Sequence, residues 1–193
     1  MSPAAANYVD IYTVTPTALV HRGSRSLVPC NLRSDASGFR GDTLRLRPPT
    51  AGSPRPTHLF ATTRGGVRGV RGWLVVFALD EDGLFVGGGD SYDSIEISEA
   101  GEVGVDRWET PTSGGRANAI ELRAKDESGD DGVWIVLTDD EELEGDGPVA
   151  AVRVLEWDSV YGVRSVVEWP SGENAETENL TLVEGASHAI WLD

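Results

Sequence analysis

Arginines separated by glycine follow an apolar segment in the first half of the chain. Residues 58–73 read HLFATTRGGVRGVRGW, in which Arg64 ends the apolar run and Arg68 and Arg71 follow it. A guanidinium group is planar and always charged, and it can hold a carboxylate through two parallel hydrogen bonds. The sequence therefore predicts that Arg64 either binds an anion or pairs with an acid of a neighbouring element. We expect Arg68 and Arg71, in the Gly-rich loop, to be surface charges.

Three more polar side chains are candidates for binding a substrate. Arg40, in FRGD, begins a predicted strand, while Asn118 and His188 each stand just before an Ala-Ile pair. Polar groups inside a protein need hydrogen-bond partners or water. We therefore predict that Arg40, Asn118 and His188 contact the substrate, and a hydrogen-bonded structural role is the alternative.

The sequence does not indicate metal or phosphate chemistry. The three histidines are far apart, the single cysteine Cys30 excludes an internal disulfide, and no CxxC or HExxH pattern occurs. TPTSGG, at 110–115, lacks the lysine of a P-loop, and the acidic run 138–147 does not match an EF-hand loop. We expect no metal and no cofactor, a turn at 110–115 and a solvated loop at 138–147.

The chain is strongly acidic. Its 193 residues include 32 Asp and Glu against 16 Lys and Arg, which gives a formal charge of −16. Such a charge disfavours binding to nucleic acid. No apolar run approaches the roughly 20 residues of a membrane span, and the first ten residues do not read as a secretory signal. We expect a cytoplasmic protein that binds neither nucleic acid nor membrane.

The elements that must position these side chains are short strands. Runs rich in β-branched and aromatic residues are separated by Gly, Pro, Asp and Ser, and helical periodicity is nearly absent. The predicted fold class is all-β. The predicted strands are YVDIYTV, DTLRLR, HLFATT, WLVVFAL, NAIELR, VWIVLT, AAVRVLEW, VRSVVEW and HAIWL.

The strands recur in the same order after about 75 residues. DTLRLR, HLFATT and WLVVFAL correspond to NAIELR, VWIVLT and AAVRVLEW, and VRSVVEW adds a fourth strand to the second unit. Tandem four-stranded units are typical of a β-propeller, whose blades usually have about 40–50 residues. The extra length falls in predicted loops at 48–57, 80–107 and 139–148. A β-sandwich is the alternative, but it would not require a repeat.

We predict a single partial propeller domain with about two full four-stranded blades plus stray strands of two others. Residues 1–35, with YVDIYTV and RSLVP, end one blade; 36–110 and 111–175 form two blades; 176–193 open a further blade. A closed ring needs roughly four to eight blades. We therefore expect a segment of a larger protein or a truncated product, with a small complete open sheet as the alternative. Open blade edges favour a homo-oligomer.

Several segments resemble, in the same order, the fungal 3-carboxy-cis,cis-muconate lactonizing enzymes (carboxymuconate cyclases). They are FRGDTLRLRP, LFATTRG, WETPTSGGRANAIEL, TDDEE and GASHAIWLD, and the most specific part is TPTSGGRANAIEL. The resemblance covers almost the whole chain and corresponds to the C-terminal half of such an enzyme. It implies a seven-bladed propeller of the lactonase type and a metal-free cycloisomerisation of carboxymuconate in aromatic catabolism by the β-ketoadipate route.

The resemblance assigns one catalytic residue to this chain. The arginine that ends the family's LFATTRG strand is Arg64 here, which implies that Arg64 binds a carboxylate of a polycarboxylate substrate. The family's site also has a His, a second Arg and a Glu. The His and second Arg belong to blades upstream of Met1, and Ala4 or a neighbour stands in place of the Glu. The resemblance thus implies impaired or absent turnover, with a non-catalytic binding or assembly module as the alternative.

Overall fold

The part of the chain that the structure describes consists of antiparallel strands and one 3-10 helix, which confirms the predicted all-β class. The computed structural model describes residues 7–67, 69–87, 97–98, 101–114, 118–125, 132–139, 151–169 and 189–191. The strands are β1 (Tyr8–Val14), β2 (Leu19–Ser26), β3 (Phe39–Leu46), β4 (His58–Gly65), β5 (Trp73–Ala78), β6 (Ile97–Ser98), β7 (Gly101–Glu102), β8 (Val105–Glu109), β9 (Ile120–Ala124), β10 (Val133–Asp139), β11 (Ala151–Asp158) and β12 (Gly162–Trp169). The 3-10 helix, Cys30–Gly38, lies between β2 and β3. Within the described ranges no helix is long and apolar enough to cross a lipid bilayer.

Strands that are close in the chain are neighbours in the sheets. β1 and β2 form a hairpin, the first four-stranded sheet has the order β3-β4-β5-β8, and the second has the order β9-β10-β11-β12. β6 and β7 form a short separate pair. As far as the structure describes the chain, neither four-stranded sheet closes on itself, so β3, β8, β9 and β12 are edge strands.

Side chains of β4 and β5 alternate between two buried faces of the first sheet. The first sheet therefore lies between the hairpin and the second sheet. One face packs against the hairpin and against Leu27, which follows β2. The buried side chains on this side are Leu27, Leu59, Ala61, Val75, Phe77 and Phe85. The other face packs on the second sheet; the buried side chains include Phe60, Leu74, Val76, Ile135, Leu155 and Trp157. Burial on both faces explains why β4 and β5 are continuously apolar.

Most predicted strands are present, and the differences have local causes. The loop predicted at 80–107 contains β6, β7 and the start of β8, the fourth strand of the first sheet. β8 reads VDRWE and is only partly buried, so its sequence lacks an apolar pattern. The strand predicted at RSLVP ends at Ser26 and gives way to the 3-10 helix. In HAIWLD, residues 189–191 are not in a strand, and the other residues lie outside the described ranges.

Candidate functional site

Arg40 and Arg64 are direct partners across the β3–β4 pair. Directly opposite residues of an antiparallel pair have Cβ atoms about 4.5–5.5 Å apart and project from the same face. Arg40 is exposed and Arg64 is half-buried. Like charges in such a pair repel each other, whereas an oxyanion between two guanidinium groups is bound by both. The register therefore makes Arg40 and Arg64 neighbours, which the sequence spacing of 40 and 64 did not reveal.

A β-bulge lies next to the arginine pair. The register of β3 shifts between Gly41 and Leu44, so Asp42 and Thr43 are the residues at the bulge. The Thr43 N–H donates to Thr62 Oγ1 at 3.1 Å. Asp42 Oδ2 accepts a hydrogen bond from the Asn118 N–H at 2.6 Å. The bulge thus directs a carboxylate towards the second sheet.

An open cleft of about 430 Å³ runs between β1 and β3. Its walls are residues 7–10 and Leu27 on the hairpin side and residues 40–44 of β3, together with Ala61 and Thr62. The volume falls in the range of roughly 300–1,000 Å³ that is usual for small-molecule sites. Arg40 lines the cleft, whereas its cross-strand partner Arg64 is not among the lining residues.

A second polar cluster joins the cleft through Asp10, one of its lining residues. The Ser24 hydroxyl donates to Asp10 Oδ1, and His21 Nε2 lies 2.9 Å from Ser24 Oγ. His21 Nε2 also lies 3.5 Å from Asp10 Oδ1. A nucleophilic triad needs the carboxylate on the opposite ring nitrogen from the hydroxyl, so these residues do not form one. They instead form a hydrogen-bonded path from an imidazole to a carboxylate at the cleft.

Asn118 lies between the two four-stranded sheets. It is fully buried; its side-chain Nδ2 donates to the Thr63 carbonyl at 2.9 Å, and its main-chain carbonyl accepts from Thr62 Oγ1 at 2.7 Å. These contacts support a structural role, and substrate binding by Asn118 stays a prediction. The predicted His188 lies outside the described residues.

The TPTSGG segment supports the end of β4. The Gly65 N–H donates to the Ser113 carbonyl at 2.8 Å, and the Gly72 N–H donates to the Thr112 carbonyl at 3.1 Å. Gly114 has a φ of 87°, and a Cβ there would lie 2.9 Å from the Asn118 Cβ. Only glycine tolerates both conditions. Residues 110–114 are therefore a largely buried connector after β8, and the predicted turn at 110–115 stays a prediction because Gly115 lies outside the described residues.

Asp139 occupies, in the second repeat, the position that Arg64 has in the first. The Arg153 Nη1 donates to Asp139 Oδ2 at 2.8 Å, and the Arg153 Nε and Nη2 each donate to a different oxygen of Glu168 at 3.1 Å. The Thr112 hydroxyl also donates to Asp139. The Arg153 guanidinium is thus already bound by two carboxylates, so this network does not favour an additional anion.

Arg71, in the Gly-rich loop, does not line the described cleft. Arg71 is exposed and its Nη1 lies 3.2 Å from Glu109 Oε2, and Arg68 lies outside the described residues. Within the described ranges no group of three or more His, Cys, Asp and Glu side chains is placed to hold a metal ion.

Comparisons of the chain with protein-family models and with curated proteins found no match.

Proposed function

We propose that this chain is a carboxymuconate-cyclase-like protein whose Arg40–Arg64 pair binds a small polycarboxylate. The observation that carries the proposal is the direct cross-strand pairing of two arginines beside an open cleft. The ordered motifs add the substrate, 3-carboxy-cis,cis-muconate, and a reaction without metal or cofactor. A cytoplasmic location, without nucleic acid or membrane partners, belongs to the same proposal.

We interpret the two four-stranded sheets as blades of a partial lactonase-type propeller and the hairpin as the end of another blade. Their packing in successive layers supports this interpretation. The first strands of the two sheets also meet, because Arg45 Nε on β3 lies 3.0 Å from Glu121 Oε2 on β9. In a propeller the blades surround a central channel, and their first strands line it.

In the proposed reaction, a substrate carboxylate oxygen adds to a conjugated C=C bond and closes a lactone. As the C–O bond forms, the π electron pair moves onto the conjugated carboxyl group, which becomes enolate-like, and a proton then bonds to the adjacent carbon. Arg40 and Arg64 would hold substrate carboxylates in place. Fixed guanidinium groups also stabilise the negative charge that grows on the enolate-like oxygens.

The path from His21 through Ser24 to Asp10 supplies a candidate proton donor. A protonated His21 would donate its Nε2 proton to Ser24 as the Ser24 hydroxyl proton passes to Asp10, and Asp10 would deliver the proton to the substrate carbon. Imidazole groups exchange protons near neutral pH, which suits general-acid catalysis. These residues differ from the family's proton-transfer groups. The proposed activity therefore requires that His21, Ser24 and Asp10 take the place of those groups.

A non-catalytic binding or assembly module is the second candidate. The exposed apolar side chains Val166 and Val167 on the edge strand β12 favour it, because unpaired apolar edges associate with further strands. In that case we expect the anion to bind at Arg40 and Arg64 without being converted, and copies of the chain to associate through open edges.

The test follows 3-carboxy-cis,cis-muconate by ultraviolet absorbance and, separately, its binding by calorimetry. We expect Arg40→Ala and Arg64→Ala each to weaken binding about 10–100-fold, since a hydrogen bond to a charged group contributes about 1.5–3 kcal/mol. Arg71→Ala, which removes an exposed arginine from a surface pair, is the matched control and should leave binding unchanged. Asp10→Asn should keep binding and abolish conversion.

Each outcome separates the candidates. Binding with conversion supports the enzyme, and binding without conversion supports the binding module. If the folded protein does not bind the tricarboxylate, or if Arg40→Ala and Arg64→Ala bind it as well as Arg71→Ala does, the proposed site is wrong.

A further inference from the structure

Three arginines surround one buried glutamate near the outer edge of the first sheet. Arg33 Nη2 lies 2.9 Å from Glu102 Oε1, and Arg107 Nη1 lies 2.7 Å from Glu102 Oε2. The Glu102 side chain is only 6% exposed, and both of its oxygens are used by these contacts. Arg25 lies close enough for its charge to interact with Glu102, Arg33 and Arg107. Among the described residues of this cluster, the single negative charge of Glu102 is therefore surrounded by the positive charges of three arginines.

Arg25 is the most deeply buried of the three. It is 5% exposed, and its Nη2 is 3.4 Å from the Val86 carbonyl oxygen. The centre of its guanidinium group is 5.6 Å from the centre of the Phe85 ring. Burial lowers the pKa of Arg25; Glu102 acts in the opposite direction, and the positive charges of Arg33 and Arg107 add to the lowering. A buried cation without a counterion is unfavourable, so a further negative charge would stabilise Arg25.

The cluster also has hydrogen-bond donors to spare. Within the described part of the chain, Arg33 Nε and Arg107 Nε are buried and have no hydrogen-bond partner. Arg107 Nη2 donates to the Ser26 carbonyl at 2.9 Å, which fixes its guanidinium group against the end of β2. Most buried donors in folded proteins are satisfied. Excess positive charge and spare donors together suit an oxyanion better than a neutral ligand.

We propose that Arg25, Arg33 and Arg107 form a second anion site, which takes a small dianionic oxyanion such as phosphate. The site is separate from the Arg40–Arg64 pair: Arg107 lies on β8 and Arg40 on β3, the opposite edge strands of one sheet. The Arg33 side chain is 25% exposed and gives the anion access from solvent. Because β2, the 3-10 helix and β8 each contribute one arginine, the anion would stabilise the contact between the hairpin and the first sheet.

The experiment measures binding of inorganic phosphate by calorimetry and by thermal unfolding, at constant ionic strength with chloride as the replaced anion. A ligand that binds the native state raises Tm with its concentration. We expect the wild-type chain to bind phosphate and Arg33→Gln to weaken binding at least about 10-fold, in line with the loss of a charged hydrogen bond. Arg55→Gln, at an exposed arginine whose Nη1 donates to the Glu81 carbonyl, is the control and should behave as wild type.

We expect Glu102→Gln to change the affinity for phosphate in the opposite direction to Arg33→Gln. It removes the negative charge that competes with the ligand for Arg33 and Arg107, so phosphate should bind more tightly than in wild type. Arg40→Gln should leave phosphate binding unchanged, which keeps this test independent of the proposed function. A succinate titration shows whether the site takes a dicarboxylate as well as phosphate.

Two results would overturn the proposal. One is a phosphate effect of equal size in wild type and Arg33→Gln, since phosphate also stabilises proteins by exclusion from their surface. The other is no detectable binding of phosphate by the folded wild-type chain.

Discussion

Arg153 and Asp139 are the charged pair most isolated from solvent among the described residues, with side chains 0% and 1% exposed. Removing one partner of a buried ion pair leaves the other charge unpaired, and this costs about 3–5 kcal/mol. We therefore expect Arg153→Met to lower the free energy of unfolding by about that amount. Urea denaturation followed by tryptophan fluorescence measures the change.

The matched control for Arg153→Met is Arg71→Met. Arg71 and Glu109 form a pair whose side chains are 56% and 44% exposed, and such surface pairs contribute about 0–1 kcal/mol. If both variants lose the same small amount, Arg153 does not form the buried network and the contrast between the two repeats is wrong.

At the residue scale, the sequence identified strand-end charges but not their partners. Arg64 was a candidate because it ends an apolar run. Its pairing with Arg40 depends on the β3–β4 register, which the bulge at Asp42 changes. Asp10 and Ser24 were not identified as partners, because they are 14 positions apart and meet only through a hairpin whose register also shifts. Contacts set by register cannot be predicted from spacing alone.

At the scale of elements, the loop between β4 and β5 is flanked by Gly65 and Gly72, and neither position has room for a side chain. A Cβ at Gly65 would lie 1.7 Å from the Val70 carbonyl oxygen. We expect Gly65→Ala to destabilise the chain by about 1–3 kcal/mol, the usual cost of overpacking. It should also weaken polycarboxylate binding, because the loop holds the end of the strand that carries Arg64. Thermal unfolding and the binding assay measure the two effects.

Gly52→Ala is the control for the glycine prediction, since a Cβ at Gly52 would meet no atom within 4 Å. It should change stability by less than about 0.5 kcal/mol, as surface substitutions usually do. A stable, fully binding Gly65→Ala variant would show that the loop does not take the described conformation.

The elements differed in how clearly the sequence predicted them. β5 and β10 are continuously apolar because both of their faces are covered, and their positions were predicted closely. β8 was missed because an outer strand that is only partly buried needs no apolar pattern. The 3-10 helix was missed because CNLRSDASG carries no helical periodicity.

At the scale of the whole molecule, the open edge strand β12 is the feature that bears on association. Val166 and Val167 are 52% and 53% exposed on it. We expect the chain to self-associate as its concentration rises, and we expect Val166→Lys with Val167→Lys to reduce association, because charged side chains on an edge strand oppose further pairing. Sedimentation velocity over a range of concentrations measures both.

The control for the edge-strand prediction is Val160→Lys, at a residue that is 77% exposed in the turn before β12 and outside its edge. It should associate as wild type does. A wild-type chain that stays monomeric at every concentration, or a Val160→Lys variant that loses association to the same degree, would contradict a role for the β12 edge.

The all-β fold class could be predicted from the sequence, because the repeated strands and the turn residues between them indicate it. The layer order could not. It depends on which face of β4 meets Asn118 and which meets Leu27, and both faces are equally apolar in sequence. Partial ring closure, as in a propeller, stays a proposal.

The contacts around Asn118 also affect how the protein unfolds. Asp42 and Thr62 on the first sheet both bond to this residue at the start of the second sheet, and Trp157 packs against Phe60 at a ring distance of 5.5 Å. Opening either sheet alone would expose these groups on both. The two repeats should therefore melt as one cooperative unit, and a calorimetric scan should show one heat-absorption peak for both sheets.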